Sequence, residues 1–177
     1  IPHNHHFLGF AAMLAGRSQV ALSSGRETVA KTPVEAMRQM PDFQPMLAFE
    51  HSLLLKFGRW DELLALPLPP TDVPVARATA LYARGTALAA TGKGAEAAGL
   101  VDSVAALGSG LPEGIAKNIV SIAQHSLAGE LAARRKRWAR PAHRARPTAS
   151  FWRDTSRPAC WSATTWRSCN STGTPDR

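Results

Sequence analysis

With 177 residues, 45% of them hydrophobic and 19% charged, the chain has the length and composition of one ordinary globular domain with room for an appendage, which excludes a chain disordered throughout. No apolar run approaches the roughly 18 residues that a membrane-crossing helix needs. The net charge of +8 is held unevenly: residues 1–133 carry ten Lys/Arg against eleven Asp/Glu, whereas residues 134–177 carry the other eleven basic residues against Asp154 and Asp176 alone.

Four of the five Trp and both Cys also lie in those last residues. A break that sharp marks a boundary near Arg134, so we expect a domain over 1–133 and a basic tail over 134–177. The chain opens on Ile1 rather than Met. A piece of a longer protein is the expectation, with any targeting peptide outside it.

The first part reads as helix after helix, rich in Ala and Leu and without strand-like alternation. Phe7, Leu8, Ala11, Ala12, Leu14 and Ala15 have the spacing of a buried helix face, and Gly16 stops that helix. A second helix is predicted over 18–31. Thr32-Pro33-Val34-Glu35 has the form of a capping box with proline at the first helical position. Pro41 and Pro45 end that short helix and begin another, which runs to Gly58. A further helix opens at Trp60 and is cut short by Pro67, Pro69 and Pro70. Helices over 75–91, 95–107 and 115–133 complete an all-α domain of paired antiparallel helices.

Three glycines, Gly16, Gly58 and Gly92, end the first helix of each pair, at intervals of 42 and 34 residues. A recurrence near 34 residues is the mark of helix-pair repeats. The first unit has Leu8-Gly9, Gly16, Ala21 and Pro33; the second Leu47, Leu54, Gly58, Trp60 and Leu63; the third Leu81, Gly85, Leu88, Gly92 and Ala97. A fourth has His125, Gly129 and Trp138, but Ala128, Lys136 and Pro141 stand where leucine, the turn glycine and a small residue belong. These units resemble the tetratricopeptide repeat family over about three-quarters of the chain. Independently of the family, Gly9, Gly85 and Gly129 are expected where helices approach closely, met by Ala21 and Ala97, with Leu8, Leu54 and Leu88 filling the space between. An irregular Ala/Leu-rich helical bundle is the alternative.

The resemblance implies a right-handed α-solenoid whose first helices line a concave groove for a partner protein or peptide. In that register the groove positions are His3, His6 and Phe10; Ala48, Ser52 and Lys56; Tyr82 and Thr86; Ser126 and Glu130, with His5 between helices. They lack the Lys and Asn row that would clamp a peptide carboxylate. A non-catalytic interaction scaffold is the leading expectation. The alternatives are a nucleic-acid-associated protein that uses the basic arm, and a helical regulatory domain of a larger enzyme.

Catalytic and metal motifs are weak. His3 and His6 are spaced to share a metal, but no carboxylate or cysteine nearby completes a set, so no metal or cofactor is expected. His51 and His125 fall on apolar helix faces and read as core residues. Thr91-Gly92-Lys93-Gly94 lacks the first glycine and the hydroxyl residue of a phosphate loop, and Gly108-Ser109-Gly110 lacks a nucleophile elbow. No enzyme activity is expected.

Past Ala133, Arg134-Arg135-Lys136-Arg137-Trp138-Ala139-Arg140 turns abruptly basic, and Pro141, Pro147, Pro158 and Pro175 break any long helix. An irregular, disordered tail is expected. It reads either as an out-of-frame translation of a GC-rich gene, a nucleic-acid arm with Arg on phosphates and Trp on bases, or a basic membrane-surface segment lacking an apolar helical face. Cys160 and Cys169 are too few for a zinc set, and a body without Cys gives no hint of an oxidising compartment; the location is left open, with the cytoplasm favoured over other compartments.

Overall fold

A computed structural model describes residues 2–138 and is all-helical there, with no strand among the described residues. Eight α-helices follow in order: α1 (Pro2–Leu14), α2 (Ser18–Lys31), α3 (Val34–Arg38), α4 (Phe49–Lys56), α5 (Trp60–Ala65), α6 (Pro74–Ala90), α7 (Gly94–Gly108) and α8 (Ile115–Trp138). A 3-10 segment, Pro41–Ala48, precedes α4. Pro41 opens it and Pro45 removes an amide donor inside it, which favours the tighter, short-range turn over a continuous α-helix.

Gly16, Gly58 and Gly92 end their helices in the left-handed region, with φ of 70°, 65° and 89°. The residue after each glycine donates its amide back across the final turn: Arg17 to Ala12, Arg59 to Leu54 and Lys93 to Leu88, at 2.8–3.0 Å. Each of these basic residues then offers its carbonyl to the next helix, accepting from Ala21, Leu63 and Ala97. One residue thus closes the first helix and opens the second, and Ala21, Leu63 and Ala97 are all fully buried. The three turns are the same device used three times.

The helices pack mainly on their neighbours in chain order: α1 on α2, both on α4, α4 and α5 on α6, and α6 and α7 on α8. Leu22, Phe49, Leu53, Leu54 and Leu63 form one core with Ala83 and Ala87 of α6. Leu88, Ala97, Leu127 and Leu131 form another between α6, α7 and α8, beside a third around Val75, Leu81, Val104 and Val120. Arg26 of α2 pairs with Glu50 of α4 at 2.7 Å, and Arg38 with Asp72 at 2.7 Å.

Several local expectations are corrected. The buried face of α1 is Gly9 and Ala12, not the bulky residues: Phe7, Leu8 and Leu14 are 59%, 52% and 69% exposed. The small residues turn inward because the Phe49 ring edge comes within 2.8 Å of where a Gly9 Cβ would stand, with Ser24 in ordinary contact beside it. Leu8 therefore fills no inter-helix space. The Thr32 hydroxyl caps no helix; it donates to the Thr28 carbonyl behind it, and α3 starts after Pro33. His125 and Gly129 lie on the exposed side of α8, so neither packs in the core. The last helix also ignores the compositional break at Arg134 and runs on to Trp138, with no turn at Lys136. The expectations for the tail beyond 138, Cys160 and Cys169 included, fall outside the described residues.

Candidate functional site

On α1 the His3 ring meets Phe7 edge-on with centroids 4.5 Å apart, and Phe10 is 46% exposed. His6 is half-buried with its ring 4.5 Å from that of Phe49 on α4. Burial holds the His6 imidazole below its ordinary range, and nearby His3 adds to the effect. His5 is half-buried, with Nε2 3.1 Å from the Lys31 ammonium of α2.

The next positions are mixed. Ala48 is fully buried at the end of the 3-10 segment, so it lines no groove; it packs beneath, where the chain changes from 3-10 to α geometry. Ser52 is half-buried and its hydroxyl donates back to the Ala48 carbonyl at 3.3 Å, while Lys56 is exposed. Thr86 is also buried, with its hydroxyl donated to the Tyr82 carbonyl at 3.0 Å, and therefore offers a partner little.

Tyr82 of α6 is half-buried against the α8 side of the core, within electrostatic reach of Glu130. Burial pushes the Tyr82 phenol above its ordinary range, and the Glu130 carboxylate reinforces the shift by disfavouring a second negative charge. Glu130 is itself balanced by Arg134, one turn on, at 3.5 Å. Ser126 is half-buried one turn before Glu130 on α8. The positions left accessible are thus an aromatic and imidazole cluster on α1, Lys56 on α4, Tyr82 on α6, and Ser126 and Glu130 one turn apart on α8.

A second feature escaped the sequence reading. A largely apolar pocket of about 210 Å³ is lined by Val29, Val34, Leu47, Glu50, His51 and the segment 66–70. Two arginines of α6 hold that proline-rich segment by its backbone: Arg84 donates to the Leu64 and Leu66 carbonyls, and Arg77 to Pro69 at 2.6 Å. His51 is buried, as expected of a core histidine, yet neither ring nitrogen has a well-formed hydrogen bond. Burial, aided by the Arg84 charge, lowers its pKa to about 4; the nearby Pro67 carbonyl opposes the shift only weakly. The ring is neutral at physiological pH. The signal for this pocket was present as Leu66-Pro67-Leu68-Pro69-Pro70, but which helix the segment lies against is a tertiary matter.

Among the described residues, no three His, Cys, Asp or Glu side chains converge as a metal site would require, and no helix is long and apolar enough to cross a membrane. Comparison with protein-family models, with curated proteins and with solved structures gave no match to this chain.

Proposed function

We propose that residues 2–138 form a tetratricopeptide-like stack of helix pairs that binds a protein or peptide along the face made by α1, α4, α6 and α8, without catalysis. The observation that carries this reading is the threefold use of one turn, at Gly16, Gly58 and Gly92, each followed by a basic residue and a fully buried residue at the same offset. A repeated turn gives each pair the same internal geometry, and pairs of like geometry leave like faces for the next. Neighbour-to-neighbour packing in chain order agrees with a stack. On the proposed face, His3, His6, Phe10, Ser52, Lys56, Tyr82, Ser126 and Glu130 offer aromatic, hydroxyl and sparse charged contacts. A partner segment with apolar anchors and a basic residue opposite Glu130 fits them best.

Selection of peptides from a random library against the full chain tests this. Recovered peptides are expected to lose about tenfold or more in affinity to Tyr82→Ala and Glu130→Ala, the loss of roughly 1.4 kcal/mol or more that an anchoring contact supplies. They should be indifferent to Asp102→Ala on the exposed side of α7. Peptides insensitive to all three substitutions would place binding elsewhere and overturn the reading.

The basic residues of 134–177 favour a second reading, in which the chain also engages nucleic acid. Eleven cations against two carboxylates supply the phosphate attraction, and four Trp supply stacking surfaces. Binding to single-stranded nucleic acid that weakens steeply with salt, and that disappears when the Arg run 134–140 is replaced by Gln and Ser, is the expected behaviour. Affinity independent of salt would refute it.

A further inference from the structure

His51, in the first turn of α4, is 5% exposed, and among the described residues neither of its ring nitrogens has a hydrogen-bond partner of good geometry. An unpaired buried polar group weakens the fold, and a functional role is a recurrent reason for keeping one. The residue lines the pocket that α2, α3, α4 and the proline-rich segment enclose. The rest of that wall is apolar or already satisfied. Val29, Val34 and Leu47 present hydrocarbon, and the Glu50 carboxylate is paired with Arg26 at 2.7 Å. Arg84 holds the Leu66 carbonyl and Arg77 the Pro69 carbonyl, which pins the segment on both sides of Pro67 and Leu68. The Pro67 carbonyl beside the His51 ring is held by neither arginine.

Size, charge and hydrogen bonding narrow what can enter. The volume of about 210 Å³ lies below the roughly 300–1,000 Å³ of sites for drug-sized ligands and above the roughly 150 Å³ of a cavity that takes up benzene. One substituted ring fits. The prolines of the segment present flat ring methylenes, which pack well on an aromatic face. Glu50 in the wall opposes an anion, and Arg84, close enough to act on His51, opposes a cation. Burial keeps the His51 ring neutral at physiological pH, with one donor nitrogen and one acceptor. A hydroxyl both donates and accepts, so it pairs with this ring in either tautomer. Where it accepts from the ring N–H, its own proton can go on to the Pro67 carbonyl.

We infer that this pocket is a binding site for a small uncharged phenol, with its ring against the prolines and its hydroxyl between the His51 imidazole and the Pro67 carbonyl. The ring nitrogens are closed to water, so the hydroxyl reaches them as the unpinned residues Pro67 and Leu68 yield. The site shares no residue with the proposed peptide face, and failure of the peptide experiment leaves it standing.

Titration of the full chain with para-cresol, followed by heteronuclear NMR, tests the site. Para-cresol is expected to bind with a dissociation constant of about 0.1–1 mM, as so small a ligand allows, and to shift the Val29, Val34 and Leu47 methyls and the His51 ring. Toluene has the same shape without the hydroxyl and should bind about tenfold more weakly, the worth of one hydrogen bond. Benzoate and benzylamine, which bring a charge, should bind more weakly than para-cresol. His51→Leu should bring para-cresol down to the affinity of toluene, and His51→Gln, which keeps a donor and an acceptor, should retain part of the preference. Val34→Trp, which fills the pocket from its rim, should abolish binding of both. Methyls unmoved by para-cresol at about 10 mM overturn the inference. So do equal affinities for para-cresol and toluene in the wild type, a hydroxyl preference that survives His51→Leu, or binding indifferent to Val34→Trp.

Discussion

Gln44 and Val75 are joined across the domain: the Val75 amide, in the first turn of α6, donates to Gln44 Oε1 at 2.9 Å. The other end of the same side chain donates from Nε2 to the Met37 carbonyl at 3.0 Å, and Gln44 is 1% exposed. The amides at the start of a helix have no partner within it, and Pro74 supplies none. One buried amide therefore ties the end of α3, the 3-10 segment and the start of α6. Replacing Gln44 by Leu strands the buried Val75 N–H and leaves the Met37 carbonyl only its second donor, the Met40 amide at 3.2 Å. We expect a loss of about 1–3 kcal/mol, measured by urea unfolding with an unchanged m-value.

Acid should weaken the fold through His51. Its folded pKa of about 4 lies below the ordinary value of 6.5, so the unfolded chain takes up the proton first. Stability is then fully present above pH 6.5 and falls as pH drops from 6.5 towards 4, by an amount on the order of 2 kcal/mol. His6, lowered for the same reason, acts in the same direction. Unfolding free energies measured between pH 7 and 4.5 should show this slope, and His51→Leu should flatten most of it. An equal slope in the variant would assign the acid sensitivity to other groups.

Much of this architecture was legible because turns are local. A glycine that must enter the left-handed region is visible in sequence, and the helix bounds on either side of Gly16, Gly58 and Gly92 follow closely. The facing of α1 was not legible. Its apolar residues outnumber what a single stripe can hold, and the side turned inward is chosen by Phe49, forty residues away, which admits only glycine beside it. Ala48 and Thr86 were misjudged for a related reason. A helical register tells which residues share a face, but burial depends on how closely the adjoining unit settles there. The Gln44 staple had no local signature at all, since a mid-chain glutamine is ordinarily exposed.

A turn glycine and an open mid-helix glycine should respond oppositely to alanine. Gly92 sits at φ 89° with nothing within 4 Å, so Gly92→Ala meets no clash but forces an L-residue into a conformation that costs roughly 1–2 kcal/mol. Gly99 is exposed in the middle of α7, again with nothing within 4 Å, where alanine is the better helix former by nearly 1 kcal/mol. Thermal unfolding should therefore place Gly92→Ala below the wild type and Gly99→Ala above it. The same order measured on Gly92→Asn is a further check, because asparagine tolerates the left-handed region better and should recover part of the loss.

The joint between Gly85 and Leu127 can be isolated from the helix propensities of its members. A Cβ at Gly85 would lie 2.7 and 2.8 Å from the two Leu127 methyl carbons, and Leu127 is fully buried, so it has little room to yield. Gly85→Val should destabilise by about 1–3 kcal/mol through overpacking, even though valine is the better helix former. Leu127→Ala should cost about 2–5 kcal/mol through the space it leaves. In the double variant the valine methyls enter the space that the leucine vacates, so the combined loss should fall short of the two single losses together by about 0.5–3 kcal/mol. Strict additivity in that cycle would mean that α6 and α8 move apart on substitution instead of staying locked at this contact, and that the glycine is not what sets their approach.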